Sequence, residues 1–98
     1  MSWILQIRSA AEKDIAEARD WYETQHSGLG DEFRTSIKQA MARLVTSPDL
    51  SPPYYGAFYR ILTERFPFKI FYRINGRKVV VFRVSHNLRD HIHLLPNR

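Results

Sequence analysis

Apolar and polar positions change period twice along this chain. From Trp3 to Arg8 they alternate loosely, which predicts a short first strand. Ser9-Ala10-Ala11-Glu12 then has the form of a capping box. In that arrangement the Ser9 hydroxyl accepts from the Glu12 amide while the Glu12 carboxylate reaches back to the amide of Ser9. Behind it, Ala11, Ile15, Ala18 and Tyr22 make one helical stripe with Trp21 beside it, and Asp14, Glu17, Arg19 and Asp20 fill the rest. Ser27-Gly28-Leu29-Gly30 breaks this helix. A second helix opens at Gly30 or Asp31 and carries Phe33, Ile37, Ala40, Met41 and Leu44 at helical spacing. Pro48 ends it, because proline disfavours the helical conformation in the residue before it. The short link makes the two helices an antiparallel hairpin.

Asp49 to Gly56, with Pro52 and Pro53, reads as a loop without core character and as a candidate target-contacting segment. Period two then returns over Phe58–Thr63, Phe66–Ile74 and Lys78–Val84, with the hairpin signal Asn75-Gly76 between the last two. A two-residue turn on Asn75 and Gly76 pairs Ile74 with Arg77 and sends Arg83 to the face of Phe68, Ile70 and Tyr72. A three-residue loop pairs Arg73 with Arg77 instead. It gathers Phe68, Ile70, Tyr72, Val80, Phe82 and Val84 on one face, and Lys69, Phe71, Arg73, Val79, Val81 and Arg83 on the other. A one-residue slip exchanges faces, so the register that segregates charge is preferred. The first face is expected to bury against the helices and the second to stay open and cationic. From His86 the chain reads as a polar turn and then a short apolar stretch, a loose or final helical turn. The expected fold is a single α+β domain over residues 1–98, in the order β-α-α-β-β-β: an antiparallel sheet with the helical hairpin packed on one face.

Charge sharpens this picture. Residues 58–98 hold nine Lys/Arg against two acids, whereas the first 57 residues hold six against eight, which together give the net +5. The basic half is the β-rich half, so a cationic sheet face awaits an anionic partner: an acidic protein surface, a nucleic acid or a ribonucleoprotein. There is no cysteine, which removes disulfide and thiolate chemistry and fits a reducing cytoplasm. No segment approaches the ~20 apolar residues of a membrane span, so a soluble, cytoplasmic protein with no membrane partner is expected. A glycine-rich phosphate loop, a G-x-S-x-G elbow and zinc-ligand spacing are all missing. The acids of the first helix read as a solvated face, with no second motif to fix two of them in a cleft.

The order of elements, and the words within it, resemble the RelE/ParE superfamily of bacterial toxins, and the ParE-like branch above all. Ala11-Glu12-x-Asp14-Ile15 and Trp21-Tyr22 look like that family's opening helix, and Gly28-Leu29-Gly30-Asp31-Glu32-Phe33 like its helix–helix link. Arg65-Phe66-Pro67-Phe68-Lys69-Ile70-Phe71-Tyr72, then Val79 to Val84 and His86-x-x-Arg89-Asp90, resemble its sheet. The likeness spans nearly the whole chain, from Trp3 to about Ile92, and rests on the joint order of these words.

The resemblance implies the toxin of a type II toxin–antitoxin, or plasmid stabilisation, module. Such a toxin is held in a hetero-oligomer by a cognate antitoxin that wraps around it. ParE-like members act on DNA gyrase by binding; RelE-like members cut mRNA on the ribosome as metal-independent endonucleases, or mRNA interferases. A member that has lost toxicity and survives as an antitoxin-binding scaffold is a third reading. No cofactor and no metal are implied.

Cleavage of mRNA requires cations that stabilise the crowded phosphate and a group that assists loss of the 2′-hydroxyl proton. Aligned on the family, Arg60, Lys69 and Arg89 fall at basic positions, with Arg83 and His86 as further candidates. Leu62 stands where a second lysine is expected and Leu95 where RelE has a C-terminal tyrosine, a departure that favours the gyrase branch. His86, His91 or His93 are substitutes, since histidine titrates near neutrality. His91 and His93 flank Ile92 but lack the further ligands a metal needs. For target or antitoxin binding the candidates are Lys69, Phe71, Arg73, Val81, Arg83 and Arg89. An acidic-leaning antitoxin segment is expected over the sheet face and hairpin, its apolar residues on Phe71 and Val81. Trp21 and Tyr22 are expected to pack within the hairpin.

Overall fold

The computed structural model describes residues 3–87. Six elements follow in chain order: β1 (Ile4–Ile7), α1 (Ser9–Gln25), α2 (Leu29–Thr46), β2 (Tyr59–Leu62), β3 (Phe68–Asn75) and β4 (Lys78–His86). The strands form one mixed sheet in the order β1-β4-β3-β2. β2, β3 and β4 run antiparallel, while β1 lies parallel to β4 at one edge. The helical hairpin carries the chain from β1 at one edge of the sheet across to β2 at the other.

α1 begins without the expected capping box. Parallel pairing runs on to the Arg8 amide, which donates to the Val81 carbonyl (3.0 Å), so Arg8 becomes the N-cap and Ser9 the first helical residue. No side chain caps this end. At the link, Gly28 takes the left-handed conformation (φ 89°), which a side chain would resist. Glu23 closes the turn by accepting from the amides of Gly28 (3.0 Å) and Gly30 (2.9 Å). Those amides are the open donors at the start of α2, and they hold the Glu23 carboxyl below its ordinary value. A β-carbon on Gly30 would meet the Arg19 carbonyl at 2.7 Å, so the helices approach at contact there.

α2 supplies most of the helical core. Phe33, Ile37, Ala40, Met41 and Leu44 are all buried, as their spacing predicts. They meet Phe68, Ile70 and Tyr72 of β3 and Val79, Val81 and Val84 of β4. Tyr22 completes an aromatic group with Phe33, Phe66 and Phe68, at centroid separations of 4.9 to 6.1 Å. Trp21 is instead 58% exposed, touching only Tyr22 among the described rings.

The β3–β4 register corrects both alternatives weighed above. Asn75 pairs with Lys78, Ile74 with Val79, Arg73 with Val80 and Tyr72 with Val81. The loop is therefore Gly76-Arg77, with Gly76 (φ 61°) at the first central position, where a hairpin turn accepts glycine. The register then shifts, so that Phe71 faces Arg83 and Ile70 faces Val84. Phe82 is the extra residue of a β-bulge. Val79 and Val81 thus belong to the core, fully buried, and do not share the cationic face with Arg73. Val80 and Phe82 sit on the opposite side from the one expected. Burying three valines at positions 79, 81 and 84 outweighs keeping strict alternation.

Candidate functional site

The sheet's helix-free side, termed the far face, is built by residues of every strand. By register, Arg60 and Leu62 of β2 lie beside Phe71 and Lys69 of β3, and Arg73 lies beside Val80 of β4, which in turn pairs with Gln6 of β1. Segment 47–58 crosses part of this face. Phe58 and Phe71 are fully buried in a second, smaller core with Tyr55 and Phe82 packed against them. A bridge between Tyr55 and Phe58 shapes the segment, and the Tyr72 hydroxyl anchors its start by donating to the Pro48 carbonyl (2.8 Å). Burial pushes the Tyr72 phenol above its ordinary value. Phe71, expected as an exposed binding residue, is therefore packing for the chain's own loop.

Arginines lie on these aromatic rings. The Arg60 guanidinium stands 4.0 Å above Tyr54, Arg73 stands 5.2 Å from Phe58 and 6.0 Å from Phe82, and Arg8 stands 4.7 Å from Phe82. Each distance is within cation–π range. The far-face strand positions carry Arg60, Lys69, Arg73, Lys78 and, opposite Phe71, Arg83, and no acid. A cationic face with Lys69 and Arg73 on it is thus present. Its apolar plates, however, are Tyr54, Phe58, Phe71 and Phe82, and Val79 and Val81 take no part.

Arg83 stands apart. Its Nε and Nη2 each donate to an Asp14 carboxylate oxygen at 2.8 Å, and the Val84 amide donates to the same carboxylate at 2.9 Å. The Asp14 side chain is only 8% exposed. β1 ends at Ile7, so the edge of β4 beyond Val81 lacks a strand partner, and α1 covers it with this one carboxylate. The bond to Asp14 raises the Arg83 pKa, and the guanidinium stays charged. His86 is the last residue of β4 and pairs with Phe68 on the helix side, ring against ring at 5.3 Å. The nuclease candidates are therefore divided: Arg60 and Lys69 lie on the far face, Arg83 stands opposite Phe71 but is tied at the sheet edge to Asp14 of α1, and His86 lies on the helix side. Arg89, with His91 and His93, lies outside the described residues.

A second feature escaped sequence reasoning. An apolar groove of about 850 Å³ runs between β1 and the two helices. Trp3, Leu5 and Ile7 form one wall, Ile15 and Ala16 another, and Ile37, Met41 and Val45 a third. Ile4 and Leu5 are exposed on the edge strand beside it. The signal was available: an uncharged Ile-Leu-Gln-Ile strand with apolar residues on both faces is an edge that needs a cover. Among the described residues, no helix can cross a membrane and no group of three or more acidic, His or Cys side chains could hold a metal ion.

Residues 5–91 match the family described as ParE toxin of type II toxin-antitoxin system, parDE. The chain belongs to the ParE toxin family. Solved structures agree on the fold. A chain of the chromosomal ParDE toxin–antitoxin system from P. aeruginosa is 17% identical to this ParE-family chain, with a TM-score of 0.74 over 86% of this chain and 95% of that one. A chain of the RelBE2 toxin–antitoxin complex from Mycobacterium tuberculosis is 16% identical, with a TM-score of 0.61 over 88% and 99%. The isolated E. coli RelE toxin is 19% identical, with a TM-score of 0.65 over 93% and 90%. No protein of curated function matches. The β-α-α-β-β-β order and membership of the RelE/ParE superfamily stand as the sequence resemblance implied.

Proposed function

We propose that this ParE-family chain acts in the cytoplasm by binding and blocking its target, DNA gyrase being the target its branch implies, and that it is not an mRNA endonuclease. The supporting observation is the division of the cleavage candidates. A phosphoryl-transfer site needs its cations and its proton-transfer group around one reacting atom. Here Arg83 is bound bidentately to Asp14, and His86 occupies the opposite side of the sheet from Lys69 and Arg60.

The antitoxin, in this reading, seats an apolar segment in the groove between β1, α1 and α2, replacing the site first expected on Phe71 and Val81. Acidic residues of that segment would meet Arg34 and Lys38 at the rim. Two measurements test the proposal. Purified toxin is expected to abolish supercoiling by gyrase while messages on ribosomes stay intact; codon-phased cleavage would refute it, and neither effect would mark a non-toxic scaffold. Ala42→Arg, at an exposed groove position, is expected to abolish neutralisation by the antitoxin without reducing toxicity.

A further inference from the structure

We infer that a trough on the outer flank of α1 receives an arginine side chain from a protein partner, with its guanidinium stacked on Trp21 and paired with Glu17. This surface is separate from the antitoxin groove and from the far face. The inference therefore goes beyond the target reading and can fail independently of it.

The trough joins two recesses between α1 and the adjoining ends of β3 and β4. The first, of about 400 Å³, is lined by Ala18, Trp21, Tyr22, Phe68 and His86. The second, of about 220 Å³, shares Ala18, Phe68 and His86 and continues to Asp14, Glu17 and Val84. Trp21 and Glu17 stand four residues apart, so they share one side of the helix. The apolar groove lies on the other flank of α1, at Glu12, Ile15 and Ala16, and no lining residue is common to both. Trp21 forms the outer wall, 58% exposed and edge-on to Tyr22 at 5.1 Å. Phe68 makes the floor, with the Tyr22 ring at 6.1 Å and the His86 ring at 5.3 Å.

Charge decides what fits. Asp14 is occupied by Arg83 and the Val84 amide. Glu17 is exposed and, among the described residues, has no ion-pair partner. Arg83 lies near enough for Glu17 to act on its charge, but its Nε and Nη2 already donate to Asp14. Asp20, its side chain 76% exposed, adds negative charge on the same stretch, since its partner Arg19 also serves Asp31. A lone exposed ring or a lone acid is ordinary surface. Together, over a recess, they supply what arginine needs: a ring for its plane, a carboxylate for its N–H fork and apolar surface for its stem. An apolar side chain would leave Glu17 unpaired, and an anion would be repelled. Trp and Tyr are also the residues on which interfaces concentrate their affinity, with arginine their frequent counterpart.

The test follows the indole N–H resonances of Trp3 and Trp21 in the full chain by NMR, assigned with Trp21→Phe. The probe is a capped pentapeptide with one central arginine among alanines and leucines; its control carries citrulline, which keeps the shape and loses the charge. The arginine peptide is expected to move the Trp21 resonance saturably and leave that of Trp3 in place. Citrulline and Glu17→Gln should each weaken binding by about threefold or more, as loss of an exposed ion pair does. Trp21→Ala, read on the His86 ring, should weaken it by about tenfold. Glu12→Gln removes the same charge from the opposite flank of α1 and is expected to leave binding unchanged. Equal binding of the citrulline peptide, equal losses in Glu17→Gln and Glu12→Gln, or an unmoved Trp21 resonance would each overturn the inference. So would a shift of the Trp21 resonance in Arg89→Ala without peptide, which would make the chain's own arginine the occupant.

Discussion

Replacing Asp14 with alanine tests the contact that removes Arg83 from the cationic face. The carboxylate accepts two guanidinium hydrogen bonds at 2.8 Å and the Val84 amide at 2.9 Å. Hydrogen bonds to charged groups contribute about 1.5–3 kcal/mol each, and losing one partner of a buried pair costs about 3–5 kcal/mol. The Arg83 side chain is 24% exposed, so water regains part of its solvation after the substitution. The estimate therefore falls to about 3 kcal/mol. For a domain of this size, each kcal/mol moves Tm by about 4–8 °C, which gives a drop of roughly 12–24 °C.

Guanidinium unfolding of Asp14→Ala, Arg83→Met and the double variant completes a cycle. A coupling of about 1.5–3 kcal/mol is expected, because each single change strands the other group. A loss below about 0.5 kcal/mol for Asp14→Ala, or additive losses, would refute the argument. Arg83 would then be available to a phosphate, and the case against cleavage would lose its main support.

Three further outcomes are expected. Gly30→Ala should destabilise the chain by about 1–2 kcal/mol in urea titration despite alanine's better helix propensity, since the new carbon meets the Arg19 carbonyl. Phe71→Ala should cost about 3–4 kcal/mol by the same measurement, as a buried aromatic does, whereas Leu62→Ala on the same face, 52% exposed, should cost under about 0.5 kcal/mol. The Glu23 carboxyl titrates below its ordinary 4.5 because the Gly28 and Gly30 amides bond its charged form. Its contribution is therefore full above that ordinary value and is lost as pH falls through the lowered one. Unfolding free energies from about pH 6 to 3 should show this slope, and Glu23→Gln should flatten it.

Element order and the α2 stripe were legible because both depend on local period alone. Phe33, Ile37, Ala40, Met41 and Leu44 had to share a side, and no tertiary contact could change that. The Ser9 capping box failed because a tertiary bond decided the helix start: β1 pairs with β4 as far as the Arg8 amide. Lys69 and Arg73 were placed on the far face correctly, since β3 alternates without interruption. Asp14 was read as solvated with its acidic neighbours. Yet Ala11, Asp14 and Ala18 lie three and four residues apart, on the flank of the core stripe, and that spacing was the available sign of a buried carboxylate. Arg8 was passed over because its ring contact depends on where Phe82 points.

Phe82 is also what joins the two halves of the functional reading. Under strict alternation, Val79, Val81 and Arg83 share one side and Val80, Phe82 and Val84 the other, so no regular strand can bury Val79, Val81 and Val84 together. One inserted residue resolves the conflict. Its position then has two consequences for charge. Past the bulge, the Val84 amide and the Arg83 side chain reach the β4 edge that β1 leaves open, where Asp14 neutralises the arginine. At the bulge, Phe82 moves out of the helix-side core to become the plate beneath Arg8 and Arg73. The insertion that fills the core thus sets Arg83 opposite Phe71, from where its side chain is taken up by Asp14 at the open edge, while Arg8 and Arg73 stay on Phe82, on a surface suited to holding a polyanion.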